Sequence, residues 1–351
     1  MKISLANEIL SEERFIHSIK TALACLIGFI LARFIHFPTE QWIIITTLVV
    51  MCAQTNVGGL MQKSYMRLLG TLAGSLIATS TLMVFHPNPA IHIIVIMLSA
   101  ILFSFIATSE KSYSDAGTLG VVTVVVILIN QNPTVISGFA RCTEISLGIL
   151  IAAGVSQLIF PIHARNHLRA NQAITLYHLR NFYVAIFNEG GPQKKAGDLF
   201  DLDEKIAKSL IAQRKLAGEA KREIFRKSFN IEDFKRSLWS EKELLRSIIF
   251  MFHAYEASEE SKKAINSIPS LLDFHQSISR ALENIAENIE QKTSETILLP
   301  DIELLNVAVQ EKILAASVNS KIQLSTFLFC ANNLVTHLKN IAALPHTVNP
   351  A

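Results

Sequence analysis

The sequence predicts an all-α protein: a six-helix transmembrane domain over residues 1–162, followed by a helical bundle over residues 163–351. Three observations carry this reading. Half of the 351 residues are hydrophobic and 17% are charged, where a soluble domain is usually about a quarter charged. Charge is sparse between Thr21 and Pro161 but recurs every few positions from Arg165 onward, which sets the boundary. Beyond that boundary apolar residues follow the spacing of amphipathic helices, and no strand-like alternation stands out.

A spanning helix needs about 20 mostly apolar residues. Six segments qualify in order: Phe15–Ile35, Thr39–Gln54, Tyr65–Phe85, Ala90–Thr108, Ala116–Asn130 and Phe139–Phe160, the second and fifth being short. The first apolar run, Thr21 to Ile35, has no small-residue cleavage site and is followed by further spans. It is therefore expected to be a retained helix, not a cleaved signal. Turn residues separate the spans, as in His36-Phe37-Pro38, Asn56-Val57-Gly58-Gly59 and His86-Pro87-Asn88-Pro89. The sixth span is expected to run on as helix to about Phe187, with a loop at Asn188–Gly197. Helices then follow at about Leu202–Ser228, Leu238–Ser267, Leu271–Ile297 and Ile302–Leu344, punctuated by Pro269 and Pro300, with Asp301 as a cap.

Lysine and arginine in short loops set orientation. With the amino terminus inside, one side holds Lys2, Arg14, Lys20, Lys63, Arg67, Lys111, Arg165 and Arg169, and the other only Arg33 and Arg141. Both termini and the second domain are thus expected to be cytoplasmic, in a multi-pass protein of a bacterial inner membrane.

Two stretches resemble each other. Arg67-Leu-Leu-Gly70-Thr-Leu-Ala-Gly74 opens the third span, and Arg141-Cys-Thr-Glu144-Ile-Ser-Leu-Gly148 opens the sixth. Each follows a short span ending in amides. Because three spans is an odd number, the second copy would be inverted, with Arg67 at the inner face and Arg141 at the outer. Inverted repeats recur in transporters, where short, polar-ended spans in matched positions point to the substrate path.

Several classes are excluded or disfavoured. The four cysteines show no metal or paired spacing. No GxxxxGK[ST], GxSxG or HExxH motif is present, so neither a nucleotide-hydrolysing engine nor an enzyme is expected. No cofactor or metal is expected, and nothing points to nucleic acid. His163 and His167 are one turn apart but lack a third ligand, and contact with lipid headgroups is expected.

The run from Trp42 through Thr46, Thr47 and Gln54, then Gly58 and Arg67-Leu-Leu-Gly70-Thr-Leu-Ala-Gly74, resembles the fusaric acid resistance family. The closing segment Arg141…Glu144…Gly148…Phe160-Pro161 looks like that family's last span. The resemblance implies export of aromatic carboxylates, and a membrane half similar to plant aluminium-activated malate channels. Many family members are about twice as long, with two membrane halves, so a homodimer or higher oligomer is expected here. The family commonly has proline after Gln54, where this chain has Thr55.

The expected function is export of small organic anions, with an anion channel and a non-transporting scaffold that binds a protein partner as alternatives. A periplasmic adaptor is a further candidate partner. Arg67 would attract anions or anchor to lipid phosphate. Arg141 would line an anion path or pair with Glu144 one turn on. Gln54, Thr46 and Thr47 are candidate contacts for a carboxylate. Gly70, Gly74 and Gly148 are expected to allow close helix packing. Trp42 is expected in an outer aromatic belt, and Lys20 and Arg33 as interface anchors.

Overall fold

The computed structural model describes residues 2–35, 41–85, 88–109, 113–130, 133–187, 196–223, 230–293 and 295–344, with backbone alone at 2–11 and 196–198. Among them all regular structure is helical. The loop expected at Asn188–Gly197 and the orientation marker Lys111 fall mainly outside the described residues. The chain divides into two compact units, one spanning Met1–Ala164 and also taking in Arg222 and Glu223.

The first unit contains α1 (Lys2–Ile35), α2 (Gln41–Ala53), α3 (Val57–Phe85), α4 (Pro89–Ala107), α5 (Ser114–Leu128) and α6 (Val135–Leu158). Four stretches are long and apolar enough to cross a membrane: Glu12–Ile35, α3, α4 and α6. The 13-residue α2 and 15-residue α5 are apolar but shorter, rising only about 20 Å each, well under a bilayer's hydrocarbon thickness of roughly 30 Å.

Their exterior is oily. On α4 the residues Ile94, Met97, Leu98, Ile101 and Phe105 are exposed, Phe105 by 81%. A helix apolar on all sides is stable only where its outer face also avoids water. The interior, by contrast, buries Thr46, Thr47, Ser64, Arg67, Thr71, Ser75, Arg141 and Glu144.

α3 and α6 run antiparallel along their full lengths. Val57 N donates to Ile162 O at 3.0 Å at one end, and Gln157 Nε2 meets Met61 Sδ at 3.4 Å. Gly138 packs against Thr79 toward the other end. The two helices correspond in register: Arg141 and Gly148 each lie 74 residues after Arg67 and Gly74. The same offset carries α1's apolar part, α2 and α3 onto α4, α5 and α6. The triplets exchange partners, because α3 packs on α5 while α6 packs on α2.

The glycines explain those contacts. A methyl at Gly70 would overlap the Ala116 backbone of α5, and one at Gly74 would meet the Gly120 carbonyl and lie 2.9 Å from Thr123 Cβ. At Gly148 it would lie 2.8 Å from both the Ile43 carbonyl oxygen and Thr46 Cβ. Thr47 Oγ1 completes the α2–α6 seam by donating to Ile43 O at 2.9 Å and Gly148 O at 3.2 Å.

α6 does not continue to Phe187. It stops at Leu158, Phe160 takes φ 43°, and α7 (Ala164–Phe187) starts afresh. Pro161 has no N–H to extend the ladder. The released carbonyls of Ser156 and Phe160 accept instead from Lys20 Nζ at 3.3 and 3.2 Å. Lys20 is 1% exposed and caps α6, so the expectation that it anchors at the interface is corrected.

The second unit holds α7 with α8 (Ala196–Ala220), α9 (Ile231–Glu256), α10 (Glu259–Asn266), α11 (Leu271–Gln291), α12 (Glu303–Ala315) and α13 (Val318–Ala342). Its core includes Leu176, Leu179, Leu244, Ile248, Ile278, Leu282, Phe327 and Leu334, each fully buried. Two long helices of the sequence reading are each split. Ser258 caps α10 by accepting from Ser261 N at 3.1 Å. Ser317, extended at the start of α13, donates to Glu260 Oε2 at 2.8 Å. Asp301 Oδ1 accepts from Glu303 N at 2.9 Å, one position before the assigned cap.

A polar network crosses this core. Gln213 Nε2 donates to Thr175 Oγ1 at 2.8 Å and to Glu241 Oε2 at 2.6 Å, and Ser237 Oγ donates to Glu241 Oε1 at 3.2 Å. Burial drives the Glu241 carboxyl up to about 7, against the pull of both hydrogen bonds. Nearby, Tyr183 Oη lies 2.6 Å from His275 Nδ1. Burial raises the phenol well above its ordinary range and lowers the imidazole to about 4, so both groups are neutral in this hydrogen bond.

Candidate functional site

Ser64, Arg67, Thr71 and Ser75 fall on one face of α3, at successive spacings of three, four and four residues. All four are buried. Opposite them, α6 supplies Arg141 and Glu144, between the Gly138–Thr79 and Gln157–Met61 contacts. Thr46 and Trp42 come from α2.

Arg67 Nη2 donates to Thr46 Oγ1 at 3.3 Å. The Arg141 guanidinium lies over the Trp42 ring, 3.8 Å from its centroid, a cation–π contact that strengthens away from water. Arg141 Nη1 is also 3.5 Å from Glu144 Oε2. Thr46 and Trp42 are one turn apart on α2, so the two guanidinia converge on one short segment. The repeat reading puts these arginines at opposite faces, whereas their side chains reach the same turn of α2. They come together because both are long side chains on the facing surfaces of antiparallel helices.

Ser64 Oγ, Arg67 Nε, Thr71 Oγ1, Ser75 Oγ and Arg141 Nη1 are buried and find no hydrogen-bond partner among the described residues. Each such group costs about 1–3 kcal/mol if left unsatisfied. Two cations, one of them beside Glu144, and three hydroxyls spread over about 16 Å of α3 offer donors to an oxyanion, which meets only part of the set at a time.

The other sequence candidates are placed differently. Thr47 is committed to the α2–α6 seam. Gln54 lies at the α2–α3 turn, its Oε1 beside Gly59, whose N–H donates to Asn56 Oδ1 at 2.7 Å. His163 Nδ1 approaches Glu223 Oε2 at 3.5 Å, where lipid headgroups had been expected. No cluster of three metal-ligating side chains occurs among the described residues. A cleft of about 500 Å³ between α3, α4 and α5, lined by Leu69, Gly70, Phe103 and Ala116 among others, has no charged side chain among the described residues of its lining. Sequence reasoning did not single out Ser64, Thr71 or Ser75 as site residues. Their four-residue rhythm with Arg67 was the available signal.

An oily shell around a buried, cationic, hydroxyl-lined interior defines a helical membrane protein whose polar residues face inward. The chain belongs to the fusaric acid resistance protein family, whose model matches residues 14–298. It is similar to the inner membrane protein YeeA of Escherichia coli (strain K12), at 23% identity over 301 residues. That alignment covers 85% of this chain and 82% of YeeA.

Proposed function

We propose that the chain exports small organic anions, aromatic carboxylates foremost, across a bacterial inner membrane without hydrolysing ATP. All six helices of the first unit serve as spans, both termini are cytoplasmic, and the second unit is a cytoplasmic bundle. The observation that carries the reading is the convergence of Arg67 and Arg141 on one turn of α2, inside a repeat-built membrane unit.

The family takes its name from resistance to fusaric acid, an aromatic carboxylic acid, which supports the substrate class. Physically, a carboxylate entering hydrocarbon needs compensating charge and donors. Arg67, Arg141, Thr46, Thr71 and Ser75 supply both. Export follows the inside-negative potential, which contributes about 2.3 kcal/mol per charge per 100 mV. YeeA's inner-membrane description supports the location.

The test is flux of labelled benzoate through the purified chain in proteoliposomes under an imposed potential. Arg67→Gln is the informative variant, because it removes the charge and leaves no buried carboxylate without its partner. Flux is expected to fall roughly tenfold or more, with the protein still monodisperse in detergent. Wild-type flux in that variant refutes the role of Arg67.

A further inference from the structure

We infer that Glu144 makes the site selective for singly charged anions over doubly charged ones, an inference that rests on the transport reading above.

The argument is an electrostatic count. Among the described residues the buried charges around the first turns of α2 are Arg67, Arg141 and Glu144, at 6%, 7% and 0% exposure. Glu144 stands 3.5 Å from Arg141 and compensates it. Arg67 donates to a neutral threonine and makes no ion pair among the described residues. The other buried cation of the unit's helices, Lys20, is held at Ser156 and Phe160, and Ser156 is about 18 Å of helix beyond Glu144.

The repeat explains why the compensation is one-sided. Glu144 lies three residues after Arg141, and the residue three after Arg67 is Gly70. Gly70 packs so closely on the Ala116 backbone that no side chain fits there. Matched positions therefore hold two cations but one carboxylate, and among the described residues the site carries a single excess positive charge. One carboxylate neutralises it. A second negative charge would sit near Glu144 in low dielectric with nothing to offset it, which is strongly penalised.

The experiment compares labelled benzoate and phthalate, ring analogues with one and two carboxylates, in proteoliposomes at neutral pH. Wild-type protein is expected to carry benzoate roughly tenfold faster than phthalate, and Glu144→Gln to raise the phthalate-to-benzoate ratio by a similar factor. Equal wild-type rates, or an unchanged ratio in Glu144→Gln, overturn the inference while leaving transport intact. Absence of both fluxes from folded wild-type protein overturns the transport reading and this inference with it. Should Glu144→Gln not fold, competition on the wild type decides. Phthalate failing to inhibit benzoate flux supports the inference, and phthalate inhibiting as strongly as unlabelled benzoate overturns it.

Discussion

Individual residues in the first unit are held to tight tolerances. Gly148 faces the Ile43 carbonyl oxygen and Thr46 Cβ, each 2.8 Å from where a methyl would sit. Gly148→Ala is expected to lower stability by about 1–3 kcal/mol through overpacking, read as a lower thermal midpoint in detergent. Gly154→Ala is the control, since nothing lies within 4 Å of a methyl there. In the second unit, Glu241 makes stability depend on pH. Its carboxyl is raised from 4.5 to about 7, so the folded chain keeps this proton to higher pH than the unfolded chain. The associated stability is complete below pH 4.5 and declines as pH rises, until it is lost above about 7. Glu241→Gln should flatten that decline and stabilise the protein at alkaline pH by on the order of 3 kcal/mol. Identical pH profiles for variant and wild type would count against this. Arg67, Arg141 and the glycines were legible in the sequence because they recur at a fixed offset. Ser64 and Thr71 were not, since a hydroxyl in an apolar helix usually bonds its own backbone, as Thr79 does to Ser75 O.

At the scale of elements, helix ends decide most of the differences between expectation and structure. The core of each apolar run was legible, and α4 and α5 begin and end within two residues of their expected bounds. α3 starts at Val57, eight residues before Tyr65, because Gln62, Lys63 and Ser64 are polar yet continue the helix. The divisions between α9 and α10 and between α12 and α13 place a serine at the N-cap position, of which Ser258 alone makes a capping hydrogen bond, with neither proline nor glycine at the break, so hydrophobic period alone gave no sign of them. Lys20 shows the converse, a charge that looked like a surface anchor and is the cap of α6. Lys20→Met should therefore cost about 1.5–3 kcal/mol, the worth of hydrogen bonds from a charged donor. Thermal unfolding in detergent would register the loss. The benzoate-to-phthalate ratio should stay at its wild-type value, since Ser156, which Lys20 holds, is about 18 Å of helix from Glu144.

For the whole molecule, the inverted distribution of polarity is the governing fact. Phe29, Met97 and Phe105 lie outward while Arg67, Arg141 and Glu144 lie inward, the reverse of a water-soluble fold. Composition made this legible, because charge is scarce over the first unit and regular beyond it. The meeting of the two arginines was not legible, since it depends on which helices pair across the triplets. The proposed topology makes a direct prediction. Reporters fused at either end, fluorescent only in the cytoplasm, should both fluoresce, and a periplasmic phosphatase at either end should be inactive. Activity of the phosphatase at the carboxyl terminus would reverse the assignment.

The exchange of partners between triplets has a consequence for biogenesis. As the chain emerges from the ribosome, α3 is complete long before α5 exists, and the glycine face of α3 has nothing to close upon. α2 likewise waits for Gly148 of α6, the last helix of the unit to be made. The glycine seams of α3 and α2 therefore close only once the second triplet is made, although α1 and α2 pack on each other within the first. Closure of the α2 seam accordingly waits on α6, the same helix that carries Arg141 and Glu144.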